Sequence, residues 1–585
     1  MTLQQIPDAP GLGALLPAEL LAQCDTATAL RLQGRYQQAL EALRPVLRNV
    51  PWHAGAWLEA GGLLMLLGRS QQARRCYARL LRLQPGHGLA LYNIAQVYEE
   101  QEQLELALEA LQAAHSLNPH AAELLLHLEF VRLSLCDWHD YDARMAHLAA
   151  ALQRHAADPH ARPLAPLRLL SLPIPLALQR QVTEQWSDAI SQDVSAQIRL
   201  SDERTTPPDL PNPTHPSVLI RVAYLSADFR NHAMGQLLHG MFALHSRRQF
   251  VVFAYSLTPT DVSDDYPAAV AAGVDHFCCV ANSSALDIAA RMRSDGIDVL
   301  IDLMGHTRLN QSAVLALRAA PVQLHYLGYP GTLGTDFIDG VVADAQLIPV
   351  HLASGYRERV YHLPCAFVAS TPLVQQVQPT AADIEPTPLT RAALGLPANG
   401  VVYASFHRAH KLDPHMFALW LDVLRQVPGS VLWLVQSSPL VEQRLRVLAA
   451  RARLDVSRLV FTQPVAPQHF AQLCTLADLL LDTAHYGAGA TGVVALRAGL
   501  PLLTLPGESF ASRMGASLCA ATGLQALICN SPSAYVAQAA ALGRNPQALA
   551  DLRAQLLARG TQLPLFNTAA WVKSFEALLL TLVKR

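Results

Sequence analysis

The chain has 585 residues, 51% of them hydrophobic and 15% charged, with 44 Lys plus Arg against 46 Asp plus Glu for a net charge of −2. This is globular composition with material for about three to five domain-sized units, and its near-neutral balance gives no reason to expect nucleic acid or an anionic membrane as a partner. No apolar run reaches the ~18 residues of a membrane helix, and MTLQQIPDAPGLGALLPAELL has no basic region of the secretory type. Nine cysteines without framework spacing are read as reduced thiols in a cytoplasm.

The first element pattern is a repeat. Pro51, Pro85 and Pro119 are spaced 34 residues apart, and Ala39, Ala73 and Ala107 keep the same interval. Leu43, Tyr77 and Leu111 follow the alanines at the fourth position, Trp57 and Leu91 share an earlier slot, and Gly34 and Gly68 share a turn. A 34-residue period with these small, large and proline positions is the signature of the tetratricopeptide helix pair. Stacked pairs form an α-solenoid whose concave face binds peptide or protein. Residues 136–200 stay helix-rich but lose the consensus, so 1–200 are read together as repeat and repeat-like solenoid. The strip 201–217, with clustered prolines, is read as a linker.

Beyond it the pattern becomes α/β. SVLIRVAYLSADF, FVVFAYSL, DVLIDLM and PVQLHYLGYPG read as buried strands separated by helices, one predicted from about Met234 to Ser246. After an irregular stretch from Ser370 to Gly400 come five more strands: VVYASF, SVLWLVQ, RLVFTQP, LADLLLDT and PLLTLPG. This alternation predicts two Rossmann-like lobes with parallel sheets, 218–395 and 396–565, and a closing helix at 566–585.

Several loops carry chemistry. GAGATG, Gly487 to Gly492, follows LADLLLDT and opens a helix, which is the setting of a G-x-G-x-x-G phosphate cradle. Glu508 lies where a dinucleotide fold would place a ribose acid, so NAD stays open as a minor reading, and a purely structural turn as another. FHRAHKLDP, at the end of VVYASF, brings Arg408, His410 and Lys411 to one loop; the lysine is suited to neutralising a leaving phosphate oxygen, although a solvated basic loop is the ordinary alternative. SADFRNHAMG places His232 after the first strand of the other lobe, where an imidazole can take a proton or orient an acceptor. LMGHTR and LGYPGT add His306, Thr307, Tyr329 and Thr332 as candidate walls for a sugar or an acceptor. The sequence has no H-E-x-x-H and no C-x-x-C, and its one Asp-x-Asp, Asp140-Tyr-Asp142, lies in the helical region; metal-assisted transfer is not expected.

Taken together, the repeats and the strings RVAYLSADFRNHAMGQLLHGMF, LRAAPVQLHYLGYPGTLGTDFID, HKLDPHMFALWLDVLRQVPGSVLWLV and LPGESFASRMGASL resemble the O-linked N-acetylglucosamine transferase family, in particular its bacterial members. The resemblance covers nearly the whole chain. It implies a GT-B fold, no cofactor or metal, and inverting transfer of N-acetylglucosamine from UDP-GlcNAc to Ser or Thr hydroxyls of cytoplasmic proteins recruited by the repeats. By position it implies that His232 is the proposed catalytic histidine and Lys411 the group that stabilises the leaving UDP. Arg408 stands where animal members carry glutamine. Ala466, Pro467, Gln468 and His469 fall in the uracil-binding turn, and Gly489, Ala490, Thr491 and Gly492 in the loop over the diphosphate. Ala490 lacks an expected hydroxyl, Val494 replaces an aspartate that contacts the ribose, and His410 replaces a tyrosine. Two alternatives stand beside this reading: a GDP-fucose-dependent protein O-fucosyltransferase, and a catalytically weak nucleotide-binding repeat scaffold.

Overall fold

The computed structural model describes residues 17–32, 34–201, 219–261, 263–371 and 389–583. The proline-rich linker therefore lies, but for Ser201, outside the described residues, as does the middle of the irregular stretch. The chain divides into two compact units, Met1–Val131 and Arg132–Arg585.

The first unit is made of helix pairs: Ala18–Leu32 with Tyr36–Asn49, Ala54–Leu66 with Ser70–Leu83, and Gly88–Glu100 with Leu104–Leu117. The 34-residue register is a burial register. Ala39, Ala73 and Ala107 have no exposed surface, and Leu43, Tyr77 and Leu111, one turn on along the same face, are also buried. Gly61 makes room for the Tyr77 ring, whose Cε1 would lie 2.4 Å from a Cβ placed there. His53 and His87, again 34 apart, cap their helices by accepting the amides of Ala56 at 2.9 Å and Ala90 at 3.2 Å on Nδ1. Gly34 and Gly68 turn the chain with φ of +74° and +71°, and the third copy of this turn places Glu102 in the same left-handed region at +57°.

The second unit holds two parallel sheets. The first contains Ile220–Ser226 (β1), Phe250–Ser256 (β2), His276–Cys279 (β3), Val299–Asp302 (β4), Val322–His325 (β5), Gly340–Ala343 (β6) and Arg359–His362 (β7), in the order β3-β2-β1-β4-β5-β6-β7. The second contains Val402–Ser405 (β8), Val431–Val435 (β9), Leu459–Thr462 (β10), Leu479–Leu481 (β11) and Leu502–Leu503 (β12), in the order β10-β9-β8-β11-β12. Both faces of such sheets are covered, which explains the unbroken apolar runs that announce them. β3, β6 and β7 are not apparent in the sequence. β3 and β7 are partly exposed along their length, and β6 is a four-residue segment beginning with glycine.

Other differences are local. The helix predicted from Met234 to Ser246 ends at Leu238 and resumes as a 3-10 turn, Phe242–Leu244. Gly240 lies between the two, where a Cβ would come within 2.8 Å of Thr371 Cγ2. The helix Leu176–Ser201, grouped by sequence with the solenoid, belongs to the compact unit that holds the sheets; its Ser187 hydroxyl donates to the Leu333 carbonyl at 2.6 Å. The closing helix, Thr568–Val583, buries Trp571, Phe575 and Leu579 and donates from Trp571 Nε1 to the Ala366 carbonyl at 2.9 Å. The lobes are joined by the Ser517 hydroxyl on Asp344, by Arg513 on the Gln346 carbonyl and by Arg497 on Ser370.

In each sheet the chain reverses its direction of travel at one place, between β1 and β4 and between β8 and β11. Loops leaving the carboxyl ends of strands at such a point diverge and leave a crevice, the usual ligand position in open parallel sheets.

All nine cysteines are free thiols. Among the described residues no helix is long and apolar enough to cross a membrane, and no group of three His, Cys, Asp or Glu side chains has metal-holding geometry.

Candidate active site

β11 leads directly into Asp482, a fully buried carboxylate that in the sequence looks like no more than the tail of an apolar strand. It accepts the amides of Thr483 at 3.0 Å and Ala488 at 2.8 Å on one oxygen and the Thr504 hydroxyl at 2.7 Å on the other. The glycine loop is thus tied down on a buried negative charge. Gly515 lets the neighbouring helix pass this carboxylate: a Cβ there would sit 2.0 Å from Oδ2. Gly492 has a packing role, since a Cβ would meet Leu518 Cδ1 at 2.8 Å.

The helix Ala490–Arg497 starts from Gly489 with no side-chain cap. Gly489, Ala490 and Thr491 are only partly buried. Uncapped first-turn amides and the positive end of the helix dipole face a part of the lobe open to solvent, an arrangement that suits an anion.

The loop after β8 approaches from the adjacent strand. Lys411 ends a 3-10 turn, Ala409–Lys411. Asp413 then anchors the start of helix Pro414–Gln426 by accepting the amides of His415 and Met416, each at 2.9 Å. The Lys411 ammonium lies 3.7 Å above the ring centroid of Tyr486, the residue just before the glycine loop. Burial pulls this ammonium down to about 8, with Arg408 pushing the same way and Asp482 opposing. His407 is buried beside them, its Nε2 3.3 Å from Asp482 Oδ1, and burial keeps its pKa low despite that carboxylate. Arg408 is exposed. Lysine is rare in this chain: the 44 Lys plus Arg include only three, Lys411, Lys573 and Lys584. That one of them stands here, where a compact ammonium differs most from a guanidinium, is a compositional signal that motif spacing does not capture.

The turn after β10 carries Ala466 as the cap of helix Pro467–Cys474. Ala466, Pro467 and Gln468 are exposed, and the His469 amide closes the turn on the Ala466 carbonyl at 2.9 Å. In the sheet β10 is separated from β8 by β9, so these residues stand two strands out from Lys411.

In the first lobe His232 follows β1 and caps the six-residue helix Ala233–Leu238. Gly235 allows that tight turn, because a Cβ would lie 2.1 Å from the Arg230 carbonyl oxygen. The ring is 43% exposed; its Nδ1 lies 3.3 Å from the Met234 amide and 3.4 Å from Asp228 Oδ2. These two contacts correspond to different tautomers. Accepting from Met234 puts the proton on Nε2 as a donor, whereas a proton on Nδ1 facing Asp228 leaves Nε2 as a base. Burial lowers the His232 pKa, with Asp228 opposing and Arg230 adding, so the ring is neutral at pH 7 in either case.

The four wall candidates fare differently. His306 is buried, its Nε2 against the Leu333 carbonyl at 3.0 Å and Ser187 Oγ at 3.3 Å, and burial pulls it to about 4. Tyr329 is a core residue. Thr332 is buried and donates to Glu358 at 2.7 Å, and that carboxylate also accepts the Leu333 amide. Only Thr307 is partly exposed, and its hydroxyl donates to the Met304 carbonyl at 2.8 Å. The structure therefore joins Lys411 to the glycine loop, while His306, Tyr329 and Thr332 are committed to the interior of the first lobe.

The profile of glycosyl transferase family 41 matches residues 135–371 and 371–575, and tetratricopeptide profiles match 30–97 and 89–120. The chain belongs to glycosyl transferase family 41. Among relatives of this family 41 chain is the protein named probable UDP-N-acetylglucosamine–peptide N-acetylglucosaminyltransferase SEC of Arabidopsis thaliana. It is 31% identical over 454 residues, 76% of this chain and 45% of the relative. The Caenorhabditis elegans UDP-N-acetylglucosamine–peptide N-acetylglucosaminyltransferase is 25% identical over 555 residues, covering 77% and 48%. The family 41 chain thus spans about half the length of these curated relatives. A solved O-GlcNAc transferase of Thermobaculum terrenum shares the fold at a TM-score of 0.65, with 24% identity and 96% of each chain covered.

Proposed function

We propose that the chain is an inverting glycosyltransferase that moves N-acetylglucosamine from UDP-GlcNAc to Ser or Thr hydroxyls of protein acceptors, with the repeats supplying the acceptor-binding surface. In this reading the acceptor oxygen forms a bond to the anomeric carbon as the bond from that carbon to the β-phosphate oxygen breaks. The bonding pair leaves with UDP, and the hydroxyl proton passes to a base or to solvent. Charge develops on the departing diphosphate, so the reaction gains most from positive groups already in place there. The proposal assigns that role to the Lys411 ammonium and the first-turn amides of Ala490–Arg497, without a metal ion. His232 orients the acceptor or takes its proton, according to which tautomer is present. Ala466 to His469 are assigned to the base of the nucleotide.

The observation that carries the reading is the pairing of an uncapped helix start with a partly desolvated lysine at the switch point of a family 41 sheet. Transfer of labelled sugar to lysate proteins, with UDP-GlcNAc and GDP-fucose compared, tests it. Transfer from UDP-GlcNAc supports the proposal. Transfer from GDP-fucose alone, or tight UDP binding without turnover, replaces it with one of the two alternatives.

A further inference from the structure

Lys411 is a cation with no ion pair within 4.0 Å of its ammonium among the described residues. Asp482, which acts on it through space, already serves the Thr483 and Ala488 amides, the Thr504 hydroxyl and His407. What lies under the ammonium is the face of an aromatic ring, 3.7 Å from its centroid, well inside the ~6 Å over which a ring quadrupole attracts a cation. The backbone that carries the ring is held at two points. The Tyr486 carbonyl accepts the Thr483 hydroxyl at 2.8 Å, and the next amide, Gly487, donates to the Ala511 carbonyl at 2.8 Å. Tyr486 packs against the core cluster that includes Tyr329 and Leu333 of the first lobe and Ala511 of the second.

We propose that Tyr486 is a positioning residue for Lys411: its ring is the shelf that fixes the ammonium beside the glycine loop and keeps it charged in a partly desolvated site, and its contact with the first-lobe core ties that shelf to the packing of the two lobes. The role in turnover rests on the glycosyltransferase reading; the shelf itself does not. A carboxylate in this position would compete with a diphosphate for the cation, whereas a ring face holds the cation and leaves its N–H groups available to an anion.

The groups facing the ammonium are Asp482 just after β11, His407 and Arg408 in the loop after β8, and Tyr486 itself, whose hydroxyl burial raises to about 12 so that it stays neutral. Replacing the ring by an aliphatic side chain of similar bulk keeps water out and removes the quadrupole. The charged form then loses support, and the Lys411 pKa falls. A smaller residue would admit water and confuse the sign, so leucine is the informative variant and phenylalanine the rescue.

With only three lysines in the chain, selective carbon-13 labelling at lysine Cε gives a resolvable titration. The experiment compares the full chain with Y486L, Y486F and, for assignment, K411M. The expected result is a Lys411 midpoint near 8, lowered by about one pH unit in Y486L and restored in Y486F. Where wild type transfers sugar, the basic limb of kcat/KM moves by the same amount and in the same order. A Y486L midpoint equal to that of wild type, in a protein with an unchanged melting profile, overturns the proposal. So does a Y486F midpoint displaced as far as that of Y486L. A wild type that shows the expected titrations yet neither binds UDP nor transfers sugar refutes the glycosyltransferase reading and leaves the shelf standing.

Discussion

Beyond β4 and β5, the first lobe encloses its polar side chains. His325 bridges Asp302 at 3.0 Å and the Tyr329 carbonyl at 2.8 Å, His306 faces the Leu333 carbonyl, and Thr332 faces Glu358. Beyond β8 and β11, the second lobe also buries an aspartate and a histidine, but its aspartate holds a loop that leads into a helix start without a side-chain cap, and the nearby Lys411 has no carboxylate within ion-pair distance among the described residues. Polar residues at the ends of parallel strands thus serve two purposes that look alike in sequence. A closed network supports the lobe; an open one, on the proposed function, receives a ligand. Mutations in the two lobes should therefore separate into losses of stability and losses of nucleotide binding.

The largest effect is expected from Lys411→Met, which removes the cation and should lower turnover by at least about 10²-fold. Its effect on stability should have the opposite sign. The Lys411 pKa lies below its ordinary value of 10.5, so the unfolded chain binds the extra proton between about 8 and 10.5. Folding is therefore penalised below pH 8, and the penalty is relieved as pH rises toward 10.5. Lys411→Met at pH 7 is expected to raise the melting temperature by a few degrees, readable by calorimetry beside the activity assay. A variant that is both inactive and less stable would contradict the open-network description.

Next comes Gly515→Ala. The added methyl must displace Asp482 or the helix Phe510–Ala521, at a cost of about 1–3 kcal/mol, and is expected to weaken UDP binding as well because the loop loses its anchor. Thr332→Val is the matched change in the first lobe. It removes one donor from the buried Glu358 and should cost about 1–3 kcal/mol in denaturant unfolding while leaving UDP affinity as it was. A Thr332→Val protein that loses UDP affinity at unchanged stability would erase the contrast between the lobes.

The pH profile of kcat/KM should fall on the alkaline side through about 8, as Lys411 deprotonates, and on the acid side below 6.5, as His232 gains a proton. His232→Ala should remove the acid limb and keep the alkaline one. The smallest change concerns the repeats. Glu102 occupies the left-handed turn that Gly34 and Gly68 fill elsewhere, so Glu102→Gly should stabilise the repeat unit by at most about 1 kcal/mol, the relieved strain being partly offset by the added freedom of the unfolded chain.

Periodicity is what makes most of the fold legible in the sequence. The interval of 34 residues names positions that share a buried face, and Ala39, Ala73 and Ala107 are buried alike. Strands such as SVLWLVQ stand out because a parallel sheet buries both faces. β3, HFCC, does not, since its exposed edge breaks the apolar run. The site is legible where a residue type is demanded by local geometry, as in the glycines before a helix, or is chemically distinct, as with Lys411. Asp482 and Tyr486 escape a linear reading because their roles are set across the sheet rather than along the chain. The carboxylate is defined by two amides of the loop that follows it and by the Thr504 hydroxyl beyond the next strand, the ring by a lysine 75 positions away. His306, Tyr329 and Thr332 look like walls in the sequence because strand-end loops usually expose their polar groups; here helix Leu176–Ser201 and Glu358 close over them.

The most direct measurement is a calorimetric titration of UDP, with EDTA present throughout, into the full chain and into Lys411→Met. Binding by the wild type that is unaffected by the chelator and weakened at least about tenfold in the variant is the expected result. Binding that requires an added divalent cation, or that survives loss of the lysine undiminished, would contradict the claim that this lobe grips a diphosphate with its ammonium and amides.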